Sequence, residues 1–157
     1  MDFAVRRVIS GDGPDSLSRI VSDDTVSLSG GVCTLWGSDT PPNLPTDGSL
    51  PSCPTWFAPP GGSRAVVFSI PPESARDESQ QADFDDQVPE EGGWHSTDTV
   101  DILVVLSGEV ANQCETGPEV MLRPGDVFIQ NGTRHTWHNR GSEAALLCGF
   151  MVGAQRV

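Results

Sequence analysis

The sequence contains no lysine and no tyrosine, so all nine of its basic residues are arginines. Without lysine, the chain cannot form a Schiff base with a carbonyl substrate or supply the lysine of a phosphate-binding P-loop. Without tyrosine, it has no phenol for acid–base chemistry. The side chains that remain for proton transfer are the three histidines, the 22 acidic residues and the four cysteines.

Long apolar runs and an excess of positive charge are also missing. No stretch approaches the roughly 20 apolar residues of a membrane-spanning helix, and Met1–Gly11 lacks the hydrophobic region of a secretory signal. A formal net charge of −13 opposes binding to nucleic acids and to anionic membranes. We therefore expect a cytoplasmic protein that binds a small molecule, with neither a nucleic-acid nor a membrane partner.

The cysteines show no metal-binding or redox spacing. Cys33, Cys53, Cys114 and Cys148 are widely separated, and no Cys-x-x-Cys pair occurs. We interpret them as free thiols in a reducing compartment.

The hydrophobic pattern favours short β-strands, and no segment has a convincing helical period of 3.6 residues. A Pro-, Gly- and Ser-rich stretch (37–62) and an acidic stretch (Glu73–Glu91) are predicted to be surface loops. We expect one domain over 1–157, in which 1–93 holds N-terminal strands and both loops, and 94–152 holds the core. The predicted strands are Ala4–Ser10, Ile20–Ser22, Thr25–Leu28, Val32–Trp36, Ala65–Ile70, Trp94–Leu106, Glu109–Cys114, Glu119–Leu122, Val127–Gln130, Thr136–Asn139 and Ala144–Val152.

Two polar clusters that contain histidine lie on separate predicted strands. His95, Thr97, Thr99 and Asp101 follow one another at two-residue spacing, so their side chains share one face of a strand. His135 opens the second cluster, after an Asn-Gly turn. Two such strands side by side would bring both clusters into the interior of a barrel.

These clusters resemble the two motifs of a small single-domain cupin, the RmlC-like jelly roll. The chain departs from that pattern with Thr97 for the second histidine, Asp101 for glutamate and Gln130 for proline, and the strand after Gly125 is one residue short. The matching positions are His95, Thr97, Asp101 and Gly108 in the first motif, and Pro124-Gly125, Gln130-Asn131-Gly132, His135 and Asn139 in the second.

The resemblance implies an all-β fold, a cupin-type jelly-roll β-barrel with long N-terminal loops. It also implies one divalent metal, Fe, Mn, Ni or Zn, on His95, Asp101 and His135. The alternative is a metal-free pocket in which His95 or His135 is the general acid or base and Asp101 orients it, because imidazole titrates near neutral pH.

The predicted pocket is apolar, with Thr97, Thr99, Gln130 and Trp137 as substrate-binding residues, and it suits a hydrophobic or aromatic molecule. Similar small cupins are often accessory enzymes of secondary metabolism, including polyketide routes. Our first hypothesis is therefore dehydration, decarboxylation, isomerisation or cyclisation by acid–base chemistry. The second is a metal-dependent dioxygenase on the same residues, and the third is a non-catalytic binding protein. An N-terminal strand that adds to another sheet would favour a homodimer.

Overall fold

The computed structural model describes residues 3–75 and 91–157, and within these ranges the protein is all-β. The predicted acidic loop lies mostly outside the described residues. Among those described, no helix is long and apolar enough to cross a membrane. The strands are β1 Ala4–Asp12, β2 Ser18–Ser27, β3 Val32–Ser38, β4 Ser63–Ile70, β5 Thr99–Ser107, β6 Val110–Cys114, β7 Val120–Leu122, β8 Val127–Asn131, β9 His135–His138 and β10 Ala145–Gly153, with single 3₁₀ turns at Glu73–Ala75 and Glu91–Gly93.

The strands form three antiparallel sheets. Strands β1 and β2 pair as a separate ribbon, five strands form a sheet in the order β3-β4-β10-β5-β8, and three form a sheet in the order β7-β6-β9. The larger sheets enclose the core, as the alternating pattern predicts for a sandwich or barrel, and the arrangement is the jelly roll that the cupin resemblance implies. The Pro-rich stretch between β3 and β4 contains no strand or helix, as predicted.

One half of the interior is apolar. Side chains from both larger sheets meet there, and three partly buried aromatic side chains, Phe68, Phe128 and Trp137, pack against them. Alternate residues along β5 and β10 supply this cluster because strand side chains change face at every residue. Its buried members are Ile70, Leu103, Val105, Val110, Leu122, Ala145 and Leu147.

The five-stranded sheet carries a polar row across its inner face, next to the apolar half. Consecutive partners in the ladder are Gly37, Arg64, Met151, Asp101 and Gln130. Arg64, Met151, Asp101 and Gln130 are all buried. The interior is therefore divided into an apolar half and a polar half, and the candidate site lies in the polar half.

Arg64 fastens the Pro-rich loop to the barrel. Its guanidinium is fully buried and donates five hydrogen bonds. Three go to the carbonyl oxygens of Ser38, Thr55 and Ser63, one to the Thr55 hydroxyl, and one to Asp39 Oδ1 at 2.5 Å. A guanidinium has five N–H donors, and all of them are satisfied, three by Asp39 and Thr55 of the loop and two by Ser38 and Ser63 at the strand ends beside it.

The predicted strand Trp94–Leu106 is too long by its first residues. Strand β5 begins at Thr99, and His95 forms an isolated bridge before it. The carbonyl of Thr97 accepts a hydrogen bond from Arg156 Nη2 at 3.0 Å rather than from a neighbouring strand, which explains the break. Exposure still alternates from Thr97 onward, so Thr97, Thr99 and Asp101 keep a common buried face.

At the N-terminus, two strands predicted separately, Ile20–Ser22 and Thr25–Leu28, are one strand, β2. It pairs along its length with β1, and ion pairs join Arg6 to Asp23 and Arg7 to Asp24 across the ribbon.

The opposite side of the five-stranded sheet exposes an apolar surface, which we call the outer apolar face. It is formed where β10, β5 and β8 lie side by side, and none of its side chains is charged. Its exposed members are Val100, Ile102, Leu106, Val127, Ile129, Phe150 and Val152.

Candidate functional site

The structure brings the two predicted histidines together. His95 and His135 form an antiparallel bridge in which each backbone N–H donates to the other's carbonyl, at 3.0 and 2.9 Å. Directly opposed residues project their side chains to the same face, so the rings become neighbours. Their centroids are 4.2 Å apart.

Backbone carbonyls orient both rings. His95 Nδ1 lies 2.9 Å from the carbonyl oxygen of Gly93, and His135 Nδ1 lies 2.9 Å from that of Thr133. A carbonyl oxygen only accepts, so each Nδ1 carries the proton of the neutral ring and Nε2 holds the lone pair. Both imidazoles are thereby set to use Nε2 for chemistry.

The turn before His135 depends on a motif glycine. Gly132 has φ +60°, and a Cβ placed there would lie 2.7 Å from the carbonyl oxygen of Thr97. Glycine therefore allows the turn after β8 to pack against the segment that carries the first cluster. This packing fixes the distance between the two clusters.

Asp101 and Gln130 face each other as ladder partners on β5 and β8, 6% and 1% exposed. The Gln130 amide nitrogen donates to the carbonyl and hydroxyl of Thr133 and lies 3.0 Å from His135 Nδ1. Among the described residues, neither Asp101 Oδ1 nor Gln130 Oε1 has a hydrogen-bond partner. The two neighbouring strands thus present acceptor oxygens that the protein leaves unpaired.

Burial shifts the titration of two of these groups away from their ordinary values. Desolvation, and secondarily repulsion from His95, lowers the pKa of His135 to about 4. Desolvation raises the pKa of Asp101, and a hydrogen bond with Thr99 opposes that shift. Because burial penalises the charged form of either group, His135 is neutral at pH 7.

The predicted substrate-binding residues divide into two groups around the histidines. Gln130 and Trp137 contact His135, and the Trp137 ring meets the His135 ring edge-on with centroids 5.9 Å apart. Thr97 and Thr99 are hydrogen-bonded through their hydroxyls at 2.9 Å, and both line a cavity of about 140 Å³. That cavity lies beside the chain's C-terminal segment, and the histidines do not line it.

A metal site would need at least three converging donor side chains. Over residues 3–75 and 91–157, no three His, Cys, Asp or Glu side chains group closely enough to hold a metal ion. His95 and His135 are adjacent, but threonine stands at position 97, and Asp101 does not complete a set with them. The arrangement does not itself assemble the predicted ligands, so metal binding stays a prediction.

His138 does not belong to the site, as its strand parity predicts. Its ring lies between Glu73 Oε1 at 2.8 Å and Gln113 Oε1 at 3.2 Å.

Sequence reasoning missed the groups that orient the site through the backbone. The carbonyls of Gly93 and Thr133 fix the rings, and Arg156 holds the carbonyls of Thr97 and Gly132 at 3.0 and 2.9 Å. Backbone acceptors leave no residue-type signal. The one available hint was that each orienting carbonyl lies two residues before its histidine.

The fold and these motifs define the class of protein. A family model for the cupin domain matches residues 84–152, so the chain carries a cupin domain. The cupin domain of Schizosaccharomyces pombe Cnp3 has a similar structure. It shares 14% identity and a TM-score of 0.51, and the match covers 94% of this chain and 87% of that one. At that identity the likeness shows the fold alone.

Two curated relatives are biosynthesis cluster proteins. The chain is 30% identical over 102 residues to phomopsin biosynthesis cluster protein C' of Diaporthe leptostromiformis, covering 65% of this chain and 46% of the relative. It is 46% identical over 46 residues to oryzines biosynthesis cluster protein J of Aspergillus oryzae (strain ATCC 42149 / RIB 40), covering 29% of this chain and 26% of that protein. The chain therefore spans less than half the length of either relative.

Proposed function

We propose that this cupin domain binds a hydrophobic or aromatic small molecule and acts on it by proton transfer. The observation that carries the proposal is the pair of orienting contacts that set His95 and His135 side by side with both Nε2 atoms available. The shared row of Asp101 and Gln130 places further polar groups next to this pair.

The two imidazoles have different roles in the proposed reaction. His95 is the proposed proton donor to the substrate, because protons on both neighbouring rings would repel each other and His135 is the more buried ring. His135, neutral at pH 7, accepts through Nε2 a proton released by the substrate. Protonating one substrate atom while deprotonating another is the requirement that dehydration, isomerisation and cyclisation share.

The aromatic side chains support the proposed substrate class. Trp137 packs edge-on against both His135 and Phe128, so the histidines lie at the border of the apolar half of the barrel. An apolar body therefore fits on one side and a reacting polar group on the other. The relatives from biosynthesis clusters support a role in making a secondary metabolite.

The proposal is tested by genetic complementation. We expect a host that lacks this gene to accumulate a precursor, and the parent gene, but not a His95→Gln/His135→Gln version, to clear it. His138→Gln is the matched control, because its ring lies outside the site. Clearance by the double variant would overturn acid–base catalysis by this pair.

The precursor's composition identifies the reaction. A difference of one water indicates dehydration, a difference of one CO₂ indicates decarboxylation, and an identical formula indicates isomerisation or cyclisation. A product that gains both atoms of O₂, together with a stoichiometric redox-active metal such as Fe, Mn or Ni in purified protein, would replace the proposal with the dioxygenase alternative. Binding of the precursor without its conversion to any product would favour the third hypothesis, a non-catalytic binding protein.

A further inference from the structure

Two buried oxygens in the polar row have no donor. Asp101 Oδ1 and Gln130 Oε1 belong to directly paired residues on β5 and β8, and both side chains are more than nine-tenths buried. An acceptor buried without a donor costs roughly 1–3 kcal/mol. Two such oxygens on paired residues therefore lower the stability of the folded protein.

Two neighbouring donors of the chain are engaged elsewhere. The Gln130 amide nitrogen is committed to the carbonyl of Thr133 at 2.7 Å, and turning the amide over would set two oxygens against each other. The nearest cation on the same row is Arg64, and its five N–H groups are all used by the Pro-rich loop and the strand ends beside it. In this arrangement the described residues direct no donor at Asp101 Oδ1 or at Gln130 Oε1.

We propose that Asp101 and Gln130 form a subsite for a hydrogen-bond donor on the bound molecule, a hydroxyl or an amide N–H. This inference rests on the proposed function in placing the molecule in the barrel. Carboxylates, phosphates and ethers do not fit the subsite, because they would set a lone pair against two acceptor oxygens. The substrate class is thus narrowed to hydroxylated or N–H-bearing aromatic or apolar molecules.

Phenol and its methyl ether, anisole, make a matched pair of probes, because they differ in the donor and share the ring. We expect phenol to shift the side-chain amide resonances of Gln130 in an ¹⁵N NMR titration, with an affinity at least about tenfold above that of anisole, as the loss of one such bond implies. This comparison uses the unmodified protein. Equal affinities for phenol and anisole would overturn the proposal.

Asp101→Asn provides a second, independent readout. The new amide supplies a donor beside Gln130 Oε1, so we expect Tm to rise by a few degrees while phenol affinity falls about tenfold. Asp23→Asn removes the same charge from the exposed ribbon and should change neither. Asp101→Asn with unchanged phenol affinity would contradict the assignment.

The subsite proposal and the catalytic proposal can be refuted independently of each other. His95→Gln/His135→Gln tests turnover, whereas the preference for phenol over anisole is measured at equilibrium without turnover. Loss of the preference with clearance still dependent on the histidines would remove the subsite alone. Preserved preference with clearance independent of the histidines would remove the catalytic proposal alone.

Discussion

The low pKa of His135 predicts that this one residue makes the domain less stable in mild acid. The unfolded chain binds a proton at this histidine below about pH 6.5, whereas the folded protein binds it only near pH 4. Between these values the unfolded state holds more protons, so the free energy of unfolding falls as the pH falls. Above pH 6.5 both states are neutral and the contribution vanishes.

The magnitude follows from the two pKa values. The penalty reaches about 2 kcal/mol at pH 5 and about 3 kcal/mol once both states are protonated. Asp101 acts in the opposite direction, because its raised pKa makes the folded state bind a proton first as the pH falls. The contribution of His135 is therefore isolated as a difference between two proteins that both contain Asp101.

The assay is urea unfolding of the parent and of His135→Gln at pH 7.5, 6 and 5. We expect the parent to lose about 2 kcal/mol more than the variant between pH 7.5 and pH 5. His138→Gln, which removes a histidine outside the site, should follow the parent. A difference between the parent and His135→Gln that does not change with pH would refute the assignment of a buried, neutral His135.

Two further predictions concern regions outside the site. Replacing Arg64 with methionine should lower the free energy of unfolding by about 3 kcal/mol, because the acceptors that the guanidinium satisfies lose their donor. The loop 39–62 should then be cut faster in limited proteolysis. An unchanged cleavage rate would contradict the anchoring role of Arg64. The outer apolar face exposes seven large apolar side chains and no charged one, the composition expected at the core of an interface between subunits. For a chain of net charge −13 this is the surface on which a second copy meets the least repulsion. We therefore expect sedimentation to show a dimer that Ile129→Arg converts to monomer, whereas a monomeric parent would contradict the expected homodimer.

The strands and the histidine pair were predictable because both follow from the two-residue alternation of side chains along a β-strand. Alternation alone places His95 and Asp101 on one face, and neighbouring strands then bring His135 to the same side. The same rule predicted that the first motif strand begins too early, because alternation does not show that Arg156 donates a hydrogen bond to the carbonyl of Thr97. The pattern carries no information on which backbone atoms a distant side chain will contact.

Arg64 was not predictable for a related reason. It appears in the sequence as one arginine in an apolar strand, without a carboxylate at a spacing that would suggest a partner. Its partners are mainly backbone carbonyls, at the ends of two strands and in the loop between them, whose path is set by prolines and by tertiary packing. Propensities describe that loop as irregular, and its contacts are determined only by the complete fold.

The position of Arg64 bears directly on the chemistry of Asp101. The two residues lie on the same inner row with Met151 between them, two strand spacings or about 10 Å apart. An arginine side chain free to extend along that row would pair with the carboxylate, lower the pKa of Asp101 and occupy its unpaired oxygen. The Pro-rich loop and the ends of the two strands that it joins prevent this, because together they accept all five N–H donors of Arg64. The loop therefore does more than cover the barrel: by holding Arg64, the one buried cation of the described residues, away from the site, it leaves Asp101 Oδ1 without a partner there and available to a ligand.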